Sequence, residues 1–350
     1  MTLPIRFTRA LCGLLALFWA GPALADDAPP SDSPSNNEAL TRDDAFAAWL
    51  NDLRSEAVAR GISQKTVDLA LADVTPIERV IERDRTQPEF TQTLDQYLNK
   101  RVTEDLVSQG QQLLRENRAL LKRDYKKYGV QPRFVVALWG IETKYGRYTG
   151  GFSVIQALVT LAFDDRRKDK FREELFYALK ILDEGDIELP NMTGSWAGAM
   201  GQSQFMPSVF IKYAVDGDGD GKRDIWTDKA DVFASAANYL SKSGWKSDET
   251  WGREVQLPPD FDTSLADPFD KQSDHEKLRK PLSEWRKLGV RRADGGPLPR
   301  RDLEAALILP DGPSGKAYLV YDNFRVLLTW NPAFLFAVTV GTLADKLDDE

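Results

Sequence analysis

Cysteine and histidine are all but missing from this chain: its 350 residues hold one of each, Cys12 and His275. A lone cysteine forms no disulfide within the chain. Ser-His-Asp or Cys-His machinery would have to run through His275. That residue stands among Asp274, Glu276 and Lys277 and reads as a surface residue without a role. A zinc site of the His/Cys type lacks ligands. Long apolar runs are also missing, since no segment reaches the roughly 18 apolar residues of a membrane span, so no transmembrane anchor is expected. Nor is there a basic excess. Lys and Arg number 46 against 54 Asp and Glu, for a formal charge of −8, which argues against nucleic acid as the main partner. What remains is the chemistry of carboxylates, or of metals held by hard oxygen ligands.

The N-terminus reads as a secretory signal peptide over residues 1–25. Arg6 and Arg9 form the basic n-region, Ala10 to Ala20 the apolar h-region, and Ala23-Leu24-Ala25 the cleavage site. Cys12 as a lipoprotein anchor is the alternative, disfavoured by Leu11 before it and the apolar run after it. Residues 26–42, rich in Pro, Ser, Asp and Asn, read as a disordered leader.

From Asp43 the pattern is helical, with Phe46, Trp49, Leu50 and Leu53 at helical spacing and a stop at Gly61. Ser63 is an expected N-cap. Thr91 to Tyr128 reads as one long helix ended by Gly129, and Pro132 opens the next. Further helices are expected at Val154–Leu161, Asp169–Glu184, Met206–Tyr213, Ala230–Ser243 and Pro332–Leu347. Between Val255 and Tyr321 two β-like runs, Ala306–Leu309 and Ala317–Tyr321, flank Asp311-Gly312-Pro313-Ser314-Gly315 as a hairpin. The expected class is mainly α with a small β insertion. The divisions are a body over 43–350, with a core at about 130–250, an insertion at about 255–321 and a C-terminal helix at about 332–347.

Glu142 is the residue that breaks the pattern. At about 100° per residue it falls within roughly 20° of Val135, between Leu138 and Trp139, in the middle of an apolar helix face. Arg133, Ala137, Gly140 and Lys144 cluster on the other side. A carboxyl in an apolar cleft has a raised pKa and can donate a proton near neutral pH. The competing reading is a structural glutamate paired with a buried lysine or arginine.

A second constellation is Asp216-Gly217-Asp218-Gly219-Asp220-Gly221-Lys222. It matches the opening of an EF-hand calcium loop, with carboxylates at positions one, three and five and glycine at six. Position twelve is Thr227, so the closing acid is missing, and an unliganded Asp/Gly turn is the alternative.

Five segments in order resemble the lytic murein transglycosylase B family over nearly the whole mature chain. They are Gly140 to Arg147, Gly194 to Ser208, Tyr213-Ala214-Val215-Asp216 with its Asp/Gly loop, Ala237 to Leu240, and Gly244-Trp245. The resemblance implies a lysozyme-like catalytic core and a periplasmic enzyme. Such an enzyme cleaves the β-1,4 bond between N-acetylmuramic acid and N-acetylglucosamine in peptidoglycan, leaving a 1,6-anhydro sugar. Glu142 is then the catalytic acid and later base, and the substrate's own N-acetyl group stands in for a second carboxylate. Ser195, Gln204 and Tyr239 are implied to line the glycan cleft, and Asn331 to contact sugar or active site. Trp139, Tyr145 and Trp196 are candidate faces for sugar rings or plain core aromatics. The family's modified calcium loop implies Asp216, Asp218, Asp220, the Lys222 carbonyl and Asp231 as ligands of one structural Ca2+. No organic cofactor is implied, and the partners are peptidoglycan glycan strands. The chain departs from the family pattern after Asn331, where Pro332 and Ala333 follow and Phe336 takes the aromatic position. Two other readings stay open: a lysozyme-type hydrolase with a second carboxylate, for which Asp164 and Asp165 are nearest, and a wall protein that binds glycan without cutting it.

Overall fold

Polar caps and left-handed turns divide this chain into helices more finely than its apolar spacing suggests. A computed structural model describes residues 36–86, 92–269 and 275–347, with side chains from residue 42. The segment 1–25 and the start of the leader lie outside them. The first helix, α1 (Asn36–Ala59), begins inside the stretch read as leader, about two turns ahead of Asp43. Ser63 caps α2 (Gln64–Ala70) as expected, accepting from the Thr66 amide. A short helix, α3 (Glu78–Arg85), was not legible from its polar sequence. Its buried Asp84 pairs with Arg166 at 2.6 Å and with Arg167.

The expected helix over Thr91–Tyr128 is three: α4 (Leu94–Arg101), α5 (Glu104–Glu116) and α6 (Arg118–Tyr128). Thr93 forms a capping box with Gln96, Thr103 accepts from the Leu106 amide, and the Asn117 side chain donates back to the Leu113 carbonyl. Short polar side chains compete with the helix for its own backbone groups, so the chain breaks while its apolar spacing runs on. Gly129, at φ 73°, ends α6, and Pro132 opens α7 (Pro132–Thr143).

Helices α8 (Val154–Phe163), α9 (Lys168–Glu184), α10 (Pro207–Tyr213) and α11 (Lys229–Lys242) fall within two residues of expectation. The short α12 (Leu282–Lys287) and α13 (Asp322–Trp330) were not expected, and α14 (Phe334–Leu347) closes the described chain. Strands β1 (Phe152–Ser153) and β2 (Thr193–Gly194) pair antiparallel beside α8. A second sheet is built from β3 (Gly252–Gln256), β4 (Lys280–Pro281), β5 (Arg291–Arg292), β6 (Glu304–Ile308) and β7 (Ala317–Val320), in the order β4-β6-β7-β3-β5. The expected hairpin is β6–β7, with Ala306 opposite Val320 and Ile308 opposite Tyr318.

The β6–β7 hairpin is buried on both faces, which is why its two strands read as continuous apolar runs. Ala306, Ile308, Tyr318 and Val320 pack into the helical core. Their alternates Ala305, Leu307, Ala317 and Leu319 join a smaller cluster around Trp285. The helical core is centred on α7, around which α5, α11 and α14 pack. The side of α7 opposite Glu142 is also packed along its middle: Ala137 is fully buried, and Gly140 lies against the Tyr145 ring. Small residues there mark close helix approach, not exposure.

On α14, a Cβ at Gly341 would run into the fully buried Trp251 indole, which is tied to Asp345 at 2.9 Å. Alanine improves helix propensity by about 1 kcal/mol, whereas overpacking costs about 1–3 kcal/mol. Gly341→Ala is expected to lower the denaturant midpoint, and a raised midpoint in chemical unfolding would show that the indole can yield.

Candidate active site

The site is built at the C-terminal end of α7. There Lys144, Tyr145 and Gly146 are left-handed in succession, at φ 48°, 60° and 83°. A tyrosine in this region is strained and persists where its surroundings hold it. Its ring sits where Gly110 and Gly140 lack a Cβ, and its hydroxyl donates to the Leu106 carbonyl at 2.8 Å. Gln202 holds the neighbouring turn against α7. Its Oε1 accepts from the Trp139 indole at 2.8 Å, its carbonyl from Thr143 at 3.1 Å, and its Nε2 donates to the Trp226 carbonyl at 2.8 Å.

Glu142 lies at the junction of two cavities. The larger, of about 420 Å³, is lined by Glu142, Ser195, Trp196 and Gln204 among others. The smaller, of about 100 Å³, is lined by Glu142, Gln204, Tyr239, Trp330 and Asn331 among others. The carboxyl keeps some surface open to the cleft but has protein packed around it, as a group on a cavity floor must. Burial pushes its pKa up to about 7, against the opposing pull of the Trp330 hydrogen bond and the Arg101 charge. The Trp330 indole N–H donates to Glu142 Oε1 at 2.7 Å.

Glu142, Ser195, Gln204, Tyr239 and Asn331, the residues singled out in the sequence, all line these two cavities. Ser195 accepts from the Ala197 and Ala199 amides at 3.3 and 3.0 Å, which leaves its O–H as a donor. Gln204, at φ 49°, is locked by its Nε2 to the carbonyls of Thr149 and Gly201. Tyr239 contributes its ring, because its hydroxyl donates to the Thr329 carbonyl at 2.6 Å and anchors the end of α13. Asn331 Oδ1 accepts from the Ala333 amide at 3.0 Å, so the Pro332-Ala333 turn is closed by the asparagine itself. Phe336 shares a narrow space beside Glu142 with Tyr97, Arg101 and Asn331.

Of the three candidate sugar faces, Trp139 and Tyr145 are core. Trp139 stacks edge-on against Tyr145 and Phe233, at 5.4 and 5.1 Å. Trp196 does line the larger cavity. Sequence reading missed Trp330, although Phe324, Leu327 and Trp330 recur at helical spacing just before Pro332. Asp164 pairs with Arg85 at 2.9 Å and Asp165 with Lys168 at 3.4 Å, and neither lines the cleft. The carboxylate that does is Glu174 in the smaller cavity, both of whose oxygens accept from Ser208. His275 is not a free surface residue: its ring meets the buried Asp267 at 2.8 Å and stacks on Phe269.

In the Asp/Gly loop, carboxylate oxygens of Asp216, Asp218 and Asp231 converge within 4.8 Å of one another. Asp231, on the first turn of α11, also accepts from the Gly217 and Asp224 amides. Burial and the charges of Asp228 and Asp218 push its pKa up to about 6, despite those bonds. Such convergence of hard oxygens fits a divalent cation. Asp220 is outside the convergent trio and takes the Lys222 amide instead, at 2.8 Å.

With this geometry in place, a model of the transglycosylase SLT domain matches residues 45–345, and the chain belongs to that family. The membrane-bound lytic murein transglycosylase B of Escherichia coli K12 is 40% identical over 177 residues, which cover 49% of this chain. The match spans about half of that relative's length (48%). The crystal structure of SltB3 from Pseudomonas aeruginosa, in complex with NAG-anhNAM-pentapeptide, is 45% identical with a TM-score of 0.82, covering 86% of this chain and 79% of that one. Escherichia coli Slt35, solved in complex with calcium, is 26% identical with a TM-score of 0.70, covering 85% and 92%. The mainly α, lysozyme-like class expected from the sequence is the class found. Among the described residues no single helix is long and apolar enough to cross a membrane.

A folded-state pKa near 7 against an ordinary 4.5 means that the fold favours neutral Glu142. That preference contributes fully below about pH 4.5 and is lost as pH rises through about 7. Glu142→Gln, neutral throughout, should therefore match the parent protein in acid and exceed it above neutrality, by on the order of 2 kcal/mol. Denaturant titrations at pH 4 and pH 8.5 read this directly, and a gain independent of pH would show that the carboxyl is not desolvated.

Proposed function

We propose that this protein is a peptidoglycan lytic transglycosylase that cuts the MurNAc-β-1,4-GlcNAc bond and closes the product as 1,6-anhydroMurNAc. The observation that carries the reading is Glu142: one desolvated carboxyl at the junction of two cavities, titrating near 7. With Oε1 accepting from Trp330, the acidic proton falls to Oε2. From there it passes to the leaving glycosidic oxygen. The substrate's acetamido group supports the electron-poor anomeric carbon. Glu142, now ionised, takes the proton of the C6 hydroxyl, whose attack within the same sugar has a proximity advantage over water. Ser195 and Gln204 on one side, and Gln204, Tyr239 and Asn331 on the other, hold the strand across the carboxyl.

A lysozyme-type hydrolase is the second reading, favoured by Glu174 beside the smaller cavity. It is the weaker one, because both Glu174 oxygens are occupied by Ser208. We place the mature protein in the periplasm, exported by residues 1–25 and built as a catalytic core with the sheet as an insertion. Asp216, Asp218 and Asp231 would hold one structural Ca2+, with Asp220 and the Lys222 carbonyl completing the set. The ion would neutralise carboxylates that otherwise repel one another.

Purified peptidoglycan digested by the parent protein should release fragments with anhydromuramyl ends, seen by mass spectrometry, and Glu142→Gln should release none. Reducing muramyl ends would make the protein a hydrolase, and no release by either would favour a binding protein. Because Glu142 must begin protonated, kcat/KM should fall about tenfold per pH unit above its pKa. A rate that instead rises through pH 7 would remove the general-acid role. Calcium at about a hundred times its Kd should raise stability by about 2.7 kcal/mol, and excess chelator should lower the melting temperature. Asp231→Asn should abolish that response, so a melting curve blind to chelator, with calcium shown to be absent, would count against the site.

A further inference from the structure

The chain is acidic by eight formal charges, yet the larger cavity is walled by Arg83, Arg101, Lys144 and Arg147 against one carboxylate, Glu142. Three separate segments bring these cations together: Arg83 from α3, Arg101 from the end of α4, and Lys144 with Arg147 from the turn after α7. The smaller cavity has no such imbalance, since Lys170 there is matched by Glu142 and Glu174. Elsewhere arginines of this protein meet carboxylates, as Arg60 does Glu56 and Glu173, Arg172 does Glu56, and Arg223 does Glu184 and Asp186. Arg83 and Arg147 do not, among the described residues. Their guanidinium groups lie over the rings of Phe152 and Tyr148, at 5.4 and 5.6 Å, and both side chains are exposed.

Neutral sugars are recognised by hydroxyl and amide hydrogen bonds and by ring faces, and need no positive field. Cations gathered along a concave wall focus potential on an anion, and guanidinium groups bind carboxylates in bidentate pairs. We propose that this wall is a carboxylate-recognition subsite, which makes an anionic substituent on the glycan a determinant of affinity. The inference rests on the glycan-cleaving reading above. The carboxylate has two sources in peptidoglycan: the muramyl lactyl group, free where the peptide has been removed, and the stem peptide itself.

The test uses Glu142→Gln protein, which leaves ligands uncut, with and without Arg83→Gln and Arg147→Gln together. Three tetrasaccharides are titrated by calorimetry: one bearing stem peptides, one freed of them by amidase, and chitotetraose, which has no carboxylate. Replacing the two arginines should weaken at least one carboxylate-bearing ligand roughly tenfold. Raising salt from about 0.05 to about 0.5 M should do the same. Chitotetraose should follow neither change, and the ligand that responds identifies the carboxylate. Equal loss for all three ligands, or no loss for any, overturns the subsite while leaving the glycan cleft standing. Failure of all three to bind the Glu142→Gln protein overturns the glycan reading and this inference with it.

Discussion

Taking a carboxylate out of water costs several kcal/mol unless something replaces its hydration, and Glu142 receives one hydrogen bond among the described residues, from Trp330. The rest of the site is arranged around that shortfall. Phe134 to Ile141 of α7 are all buried, so the helix that carries the carboxyl is packed on every side up to the turn that bears it. The left-handed run at Lys144 to Gly146 stops the helix directly after the carboxyl and opens the larger cavity beside it. Arg101 is near enough to oppose the burial without cancelling it. A closer ion pair would hold the group ionised and remove it as a proton donor.

Gln202 makes this arrangement depend on a distant part of the chain. Its amide N–H donates to the Ile225 carbonyl, and its side chain bridges the Trp139 indole to the Trp226 carbonyl. Ile225 and Trp226 follow directly on the Asp/Gly loop, whose Asp224 amide donates to Asp231. A continuous set of hydrogen bonds therefore joins the acidic loop to the helix that carries Glu142. Within it Asp231 is pushed toward its neutral form by burial and by the charges of Asp228 and Asp218. A cation there would reverse that tendency and stiffen the support of α7, so the structural Ca2+ proposed above would act on geometry and not on the glycosidic bond.

Glu142 was legible because charge on an apolar helix face is a violation visible in one dimension. The cavity-lining set of Ser195, Gln204, Tyr239 and Asn331 was legible through resemblance, since nothing in their own spacing brings residues 53 to 189 positions from Glu142 to its side. Trp330 was not legible. Its function arises from where α13 docks, and α13 is held by Tyr239 and by Asn323, which donates to the Lys246 and Glu249 carbonyls. The breaks between α4, α5 and α6 were missed for a local reason, that apolar spacing persists while Thr103 and Asn117 end the backbone pattern. The two-sided burial of α7 was missed for a global one, since alanine and glycine are silent about whether a neighbour or water lies against them.

Charge adds a constraint that helix packing does not impose. The chain carries a formal charge of −8, yet four cations and one carboxylate line its larger cavity. Arg83 and Arg147 are held over aromatic rings by cation–π contacts, each worth about 0.5–1 kcal/mol at an exposed site. Such contacts fix where a guanidinium sits while leaving its N–H edges unused. Of these cations Arg101 also acts on Glu142, its charge opposing the rise that burial imposes on the carboxyl. An anion seated on the wall when a strand is bound would offset that pull and favour the protonated carboxyl from which the proposed reaction begins. Substrate charge would then do more than strengthen binding: it would set the protonation state in which the bond is cut.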